Sequence, residues 1–245
     1  MMREREREIF EELLKEISVL SRYGSLTAFT ASRGSSYSGE FMIIGRAVNG
    51  NDEFDFTPEE LTDGTKRSEY LNRLFMEDPR RLAWISLWWG RKRTEGYSPS
   101  RSAFFRVMRS VASKLGVIDI TDPDWAQQLV YSNLYKVAPT KTGNPTVKLI
   151  SLQKAKCIDI LKEEIVNWKP KRILFLTGMD WARDFLNGIG PLAISVNQEE
   201  IFSGKLRIDS MTIDVVVAPH PMAKVEDPIV SGILSGFSSL DTNIT

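Results

Sequence analysis

The side chains best suited to chemistry stand at the ends of predicted strands, and the first of them is a histidine. His220 is the only histidine of the 245 residues and lies between Pro219 and Pro221, directly after an apolar run. Proline on both sides fixes the backbone and disfavours a helix, so the sequence predicts a stiff loop that presents the imidazole. A neutral imidazole can donate one hydrogen bond to an anion, and a protonated one adds charge. Taken alone, His220 is also consistent with a structural loop cap.

Two further polar groups lie within or after predicted strands. Asn133 lies in the run 129–135, and its amide offers both a donor and an acceptor. Arg46 lies between Gly45 and Gly50, directly after the apolar run 41–44. Two glycines five residues apart after a strand are typical of a tight loop where the backbone approaches a ligand, although many strand-to-helix turns carry glycine.

A fourth segment combines aromatic and basic residues. Trp88 and Trp89 precede the basic triplet 91–93, and Tyr97 follows it. Rings stack on bases and cations meet phosphates, so this composition suits a nucleic-acid contact. The alternative is an aromatic core cluster followed by a solvated turn.

The elements that position these residues can be predicted from apolar periodicity. The first helix, over residues 3–21, carries apolar residues on one face. Buried strands are predicted over 41–44, 129–135, 172–178 and 213–218, with a polar loop over 28–39 and a hairpin or loop over 189–210. Further helices are predicted over 61–75, 97–116, 151–167, 180–186 and 225–240. Strands that alternate with helices indicate an α/β fold with a parallel sheet and helices on both faces.

Composition narrows the classes of protein. The chain is 42% hydrophobic, which excludes a disordered protein, and its 32 basic and 32 acidic residues balance, so it is not a bulk nucleic-acid coat. The single cysteine, Cys157, excludes a disulfide framework. No apolar run is long enough to cross a membrane and the N-terminus lacks the apolar core of a secretory signal, so we expect a cytoplasmic protein without a membrane partner.

With these residues in place, the chain resembles the uracil-DNA glycosylase superfamily, in particular the branch that includes the iron–sulfur, thermophile-type enzymes. Four segments match the family's motifs in order along residues 41–224: the strand and loop 43–50, the strand 131–136 with Asn133, the helix–strand region 157–186, and His220-Pro221-Met222-Ala223. The resemblance implies a single three-layer α/β/α domain over residues 1–245. It has a central four-stranded parallel sheet of order 2-1-3-4, an N-terminal helix within 1–24 and an insert at 51–80.

The resemblance also implies roles for individual residues. Removing a base creates an oxocarbenium-like sugar and a base anion, which the enzyme must stabilise after taking the base out of the stack. His220 is expected to donate to the leaving base, and Asn133 to read its edge. The remaining expected contacts are stacking by Tyr97, or by Trp88 or Trp89, a water oriented by Asn49, and backbone or phosphate contacts from Arg46, Ala47, Pro221 and Met222. The site is expected to be formed by residues 45–50, 88–97, 133–141 and 218–224.

The departures from the family pattern qualify this hypothesis. Arg46 stands where the family carries an acid, and a guanidinium cannot act as a base. Met222 replaces a serine that commonly contacts phosphate. Three of the four cluster cysteines have no counterpart, so we expect no iron–sulfur cluster, and no metal or other cofactor.

Three functions therefore remain open. The first is a DNA glycosylase that acts in base-excision repair with an unusual first motif. The second is a catalytically inactive relative that binds DNA, a nucleobase or a nucleotide, with Arg46 as a binding residue. The third is a flavodoxin-like domain that holds phosphate in the loop 45–50, which predicts that Asn133 and His220 lie far apart. The base recognised, the strand preference, the oligomeric state and the role of residues 51–80 are open as well.

Overall fold

The computed structural model describes residues 3–20, 23–48, 54–141, 143–198 and 200–241. The chain divides into two compact units. The first unit comprises Met1–Ala31, Gly45–Glu77 and Ser132–Asn167, and the second comprises Ser32–Ile44, Asp78–Tyr131 and Trp168–Thr245. The protein is of the mixed α/β class, as predicted.

Helices α1 (Glu4–Ser18), α2 (Gly64–Leu74) and most of α5 (Val147–Trp168) belong to the first unit. The predicted apolar face of α1 is buried, and Phe10 meets the ring of Phe75, just beyond α2, at 5.6 Å. Helix α2 begins after Asp63, whose carboxylate accepts the N–H groups of Thr65 and Lys66.

A small antiparallel sheet of order β4-β1-β6 completes the first unit. Its strands are β1 (Leu26–Ala28), β4 (Asp55–Phe56) and β6 (Val137–Pro139). The prediction of a loop over 28–39 is wrong at its start, because β1 ends there and the two-residue strand β2 (Ser32–Arg33) follows. Both strands are too short to show an apolar alternation.

A larger sheet has seven strands. They are β2, β5 (Val130–Tyr135), β3 (Phe41–Ala47), β7 (Arg172–Leu176), β10 (Met211–Ala218), β9 (Ile201–Ile208) and β8 (Leu192–Gln198), in that spatial order. The four predicted strands are neighbours in the predicted order, β5-β3-β7-β10. Strands β3, β7 and β10 pair in parallel. A central four-stranded parallel sheet is not confirmed, because the sheet is larger and mixed, with antiparallel pairs β2–β5, β10–β9 and β9–β8.

A tight connection explains the antiparallel end of this sheet. Strand β9 ends at Ile208 and β10 begins at Met211, so only Asp209 and Ser210 join them. Asp209 adopts a positive φ of 51°. A two-residue connection can form a hairpin but cannot cross over to a parallel neighbour. For residues 189–210 the sequence predicts a hairpin or a loop, and the structure has the antiparallel pair of strands β8 and β9 there.

Helices α3 (Ala83–Leu87), α4 (Ala103–Lys114), α6 (Met179–Ile189) and α7 (Glu226–Asp241) belong to the second unit. Helices α4 and α7 pack on each other and share one apolar core with β3, β7 and β10. Gly236 of α7 lies so close to β10 that an added Cβ would be 3.2 Å from Val216. Within the described ranges, no helix is both long and apolar enough for a transmembrane span.

Candidate functional site

His220 lies two residues beyond Ala218, the last residue of β10, so it follows a strand as the sequence predicts. Its Nδ1 atom accepts a hydrogen bond from the backbone N–H of Met222 at 3.3 Å. A neutral imidazole carries one proton, so this bond assigns the proton to Nε2. The loop therefore holds the ring as an Nε2–H donor.

The chain turns sharply after the histidine. The N–H of Lys224 donates to the carbonyl of Pro221 at 3.1 Å, and Ala223 adopts a positive φ of 60°. A non-glycine residue in this region is strained by about 1 kcal/mol or more. The turn brings the N–H of Met222 to His220 while the Met222 side chain stays 71% exposed.

A ring on α4 supports the imidazole. Phe104 stacks on His220 with ring centres 6.1 Å apart and an interplanar angle of 27°. Phe104 is itself held by edge or tilted contacts with Phe105 at 5.3 Å and Tyr131 at 5.7 Å. The sequence predicts Phe104 only as a core position, because its spacing within the helix is the one visible signal.

The carboxyl ends of the parallel strands in the second unit lie at one edge of the sheet. Ala218 of β10 is in register with Leu176 of β7, and Phe175 with Ile44 of β3. Gly178, with a φ of 81°, donates its N–H to the carbonyl of Ala218 at 2.9 Å and caps α6. This edge is the usual place for a ligand crevice in an α/β sheet.

The predicted stacking residues of the second unit lie in two aromatic groups. Trp89 meets Trp125 edge-on at 5.4 Å, and the guanidinium of Arg109 lies 4.8 Å from the Trp89 ring centre. Burial lowers the pKa of Arg109. Tyr97 is 49% exposed and lies 6.2 Å from Trp84, and partial burial raises the pKa of its hydroxyl.

The remaining predicted residues belong to the first unit or lie outside the described residues. Arg46 and Ala47 are half-buried at the end of β3. Asn49 lies outside the described residues. Asn133 is buried within β5, and its backbone carbonyl accepts a hydrogen bond from Lys136 at 2.7 Å.

A buried ion pair lies beside the C-terminal end of β5, and no pattern in the sequence predicts it. Lys136 and Glu164 are 0% exposed, with Nζ 2.7 Å from Oε2. The Nζ group also donates to Ser132 Oγ at 2.8 Å, and Ser132 Oγ in turn donates to Glu164 Oε2 at 2.7 Å. The other carboxylate oxygen accepts the N–H of Ala31 at 2.9 Å. Every polar group of the pair thus has partners, as a buried charge requires.

The single thiol lies beside this ion pair. Cys157 Sγ donates to Gln153 Oε1 at 3.2 Å, accepts the N–H of Lys136 at 3.4 Å, and is fully buried. Burial raises the pKa of the thiol to about 12. Among the residues that the structure describes, no group of three or more His, Cys, Asp or Glu side chains could hold a metal ion.

His220 thus contacts the ring of Phe104 and the backbone N–H of Met222, whereas the backbone carbonyl of Asn133 accepts a hydrogen bond from the buried ion pair. Neither Phe104 nor the ion pair could be identified as part of a site from the sequence, because no local pattern marks them. Compared with models of known protein families and with curated proteins, the chain matches none.

Proposed function

We propose that this chain is a uracil-DNA glycosylase-like protein that binds DNA and hydrolyses a base–sugar bond. The observation that carries the proposal is the orientation of His220, an Nε2–H donor fixed at the end of β10. A fixed donor is what the departing base requires, because negative charge develops on its oxygen as the bond to the sugar breaks.

The proposed step accounts for each group. The bond between C1′ and the base nitrogen breaks, and its electron pair stays on the base. The Nε2–H of His220 stabilises the resulting anion by a hydrogen bond. Water then adds its hydroxyl to C1′, and its remaining proton ends on the base. The stacked Phe104 limits rotation of the imidazole, so the donor does not need to be reoriented during the reaction.

Asn133 is the proposed reader of the base edge. An amide can donate to and accept from the same amide-like edge, which distinguishes uracil from bases of other patterns. Lys136 Nζ donates to the backbone carbonyl of Asn133, and its further bonds to Ser132 Oγ and Glu164 Oε2 fix the ammonium group that makes this contact. A reading group on rigid backbone loses little entropy when it binds.

A second function is favoured by Arg46. Because the guanidinium cannot activate water, the chain can instead bind DNA or a nucleobase without turnover, with Arg46 on a phosphate or a base edge. The two functions share the binding residues and differ in whether the base–sugar bond breaks.

A base-excision assay separates the two functions. Purified protein is incubated with labelled single- and double-stranded oligonucleotides that contain uracil, hypoxanthine or xanthine, and alkali then reveals abasic sites. We expect the wild type to cut at least one substrate. His220→Ala should lose at least about 100-fold in rate, the usual effect of removing one such donor. His220→Gln, which keeps a side-chain N–H, should retain more activity than His220→Ala.

Arg46→Glu tests the alternative, with Arg207→Glu as the charge-matched control on an exposed position of β9. A silent wild type that gains activity only through Arg46→Glu would mean that the natural function is binding. Equal rates for the wild type and His220→Ala would contradict the proposed role of the histidine. Silence of every protein on every substrate would refute base excision.

A further inference from the structure

The segment Trp88–Arg101, here called the basic loop, carries an excess of positive charge on a neutral chain. Its charged residues are Arg91, Lys92, Arg93, Arg101 and Glu95, so its net charge is 4 − 1 = +3, whereas the whole chain has +0. All five are exposed. An excess of this kind attracts a polyanion.

The four cations of the basic loop differ in their ion pairing from several other cations of the second unit. Arg106 pairs with Glu226, Lys205 with Asp214, and Lys171 with Glu40. In the described part of the chain, no acidic side chain forms an ion pair with any of the four cations. Glu95, the one acidic residue of the loop, accepts a hydrogen bond from the backbone N–H of Lys92 within the loop at 3.2 Å.

Internal hydrogen bonds fix the shape of the basic loop. The Arg101 guanidinium donates to the backbone carbonyls of Arg91, at 3.3 Å, and Gly96. The N–H of Gly90 donates to Ser98 Oγ at 3.0 Å. Gly90 and Gly96 adopt φ values of 81° and 106°, which other residues rarely reach. The cations are therefore presented from an ordered backbone, which lowers the entropy cost of binding.

Aromatic side chains lie in the same loop as the cations. The Arg91 guanidinium lies 4.7 Å from the ring centre of Trp88, and half of the Tyr97 side chain is exposed. Cations that meet phosphates beside a ring that can stack on a base are the features of single-strand binding surfaces. A duplex hides the faces of its bases, so it could use only the cations.

The same geometry disfavours a membrane as the partner. Residues 93–95 form a single 3₁₀ turn without an apolar face, and Trp89 packs inward on Trp125. Membrane-surface helices instead present a continuous apolar face.

We infer that the basic loop binds single-stranded nucleic acid, with its cations on phosphates and Tyr97 on an unpaired base. This inference rests on the nucleic-acid partner of the proposed function and does not depend on base excision. It assigns Tyr97 to strand binding, outside the chemistry of His220.

The test measures fluorescence anisotropy with a labelled 20-nucleotide oligothymidylate, a duplex of the same length, and vesicles that contain phosphatidylserine. The triple variant Arg91→Gln/Lys92→Gln/Arg93→Gln removes three cations. The control Lys114→Gln/Arg183→Gln/Arg207→Gln removes three exposed cations of the second unit outside the loop. For the single strand, the logarithm of the binding constant falls linearly with the logarithm of the salt concentration. We expect this slope to become less steep by about 2 in the triple variant, because each phosphate contact contributes roughly 0.7 to its steepness. The control should keep the wild-type slope.

Tyr97→Leu tests the stacking contact. Loss of one stacked base should weaken single-strand binding by roughly tenfold and leave the salt slope unchanged, because no charge is removed. Duplex binding should be weaker than single-strand binding and insensitive to this variant.

The possible outcomes separate the inference from base excision. Equal slopes for the triple variant and its control, equal affinity for duplex and single strand, binding to vesicles only, or no binding at all would each overturn the inference. If the loop variants weaken single-strand binding while no oligonucleotide is cut, the inference holds and base excision fails. If His220 supports cutting but the loop variants bind normally, base excision holds and the inference fails.

Discussion

Removal of the charge on Lys136 should destabilise the protein by several kcal/mol. Both Lys136 and Glu164 are 0% exposed, and Nζ donates to Glu164, Ser132 and the carbonyl of Asn133. Lys136→Met removes these bonds and leaves the Glu164 carboxylate buried without its cation. Breaking a buried pair in this way costs about 3–5 kcal/mol. Since the whole folding free energy of a protein is roughly 5–15 kcal/mol, this is a large share.

A second substitution should restore much of the loss. In Lys136→Met/Glu164→Gln neither of the two positions carries a charge, and the glutamine oxygen can still accept from Ala31, as Glu164 does at 2.9 Å. What remains lost is the hydrogen bonds of Nζ to neutral oxygens, worth about 1 kcal/mol each. We therefore expect the double variant to lose about 2 kcal/mol, less than Lys136→Met alone. Glu164→Gln alone leaves Lys136 buried without its anion and should also cost about 3–5 kcal/mol, so the coupling energy between the two sites should be about 4 kcal/mol or more.

Urea denaturation, followed by tryptophan fluorescence and by far-ultraviolet circular dichroism, measures these changes. Coincidence of the two transitions and an unchanged slope would justify the two-state treatment. The control is Lys156→Met, which removes an ion pair with Glu12 at an exposed position and should change stability little. A Lys136→Met variant as stable as this control, or a double variant whose loss equals the sum of the losses of Lys136→Met and Glu164→Gln, would contradict the predicted coupling.

Three further predictions concern other groups. Cys157 should not react with a thiol reagent at pH 8 in the folded protein, because burial raises the pKa of the thiol to about 12. After denaturation, one thiol per chain should react. Fast reaction of the folded protein would contradict the burial of Cys157. The N–H groups of Lys66 and Thr65 lower the pKa of Asp63, so its contribution to stability is complete above the unfolded pKa of about 3.9 and is lost as pH falls through the lower folded value. The asparagine of the variant Asp63→Asn can still cap the helix but does not titrate. The difference in stability between the wild type and this variant should therefore shrink between pH 6 and pH 2.5. A constant difference would contradict the lowered pKa of Asp63. Ala223→Gly should stabilise the protein by up to about 1 kcal/mol, since glycine accepts a φ of 60° without strain, and a lower urea midpoint would show that the turn is unstrained.

Much of the fold could be predicted from apolar runs. The run 213–218 corresponds to β10 (Met211–Ala218), and the run 41–44 to the first part of β3. Most residues of these two runs are buried, so their sequences are nearly continuous apolar runs, interrupted in 213–218 by Asp214, and are easy to recognise. The same physics predicted that His220 follows a strand, since the run ends where two prolines begin.

Strand direction was less predictable, because the relevant signal is a distance along the chain. Strands β9 and β10 are antiparallel since only Asp209 and Ser210 join them, yet alternation of strands with helices favoured parallel pairing throughout. Counting the residues between two strand candidates would have found this hairpin. Strands β1 and β2, with three and two residues, offer no comparable signal.

The buried ion pair shows why part of a site escapes sequence reasoning. Lys136 directly follows the predicted strand 129–135, and it is fully buried between β5 and β6. Its partner Glu164 lies 28 residues further along the chain, on α5. Charged residues are usually exposed, so only the tertiary structure identifies the pair as internal.

Met222 illustrates the opposite case, in which the identity of a side chain has little effect on the geometry of the loop. Serine at this position would offer a hydroxyl to phosphate, which methionine cannot supply. The contact that orients His220, however, comes from the backbone N–H of Met222 and not from its side chain, which is 71% exposed. Any residue except proline supplies that N–H. The Met222 side chain therefore offers no hydroxyl to a phosphate, whereas the Nε2–H tautomer of His220 depends only on the backbone N–H of residue 222.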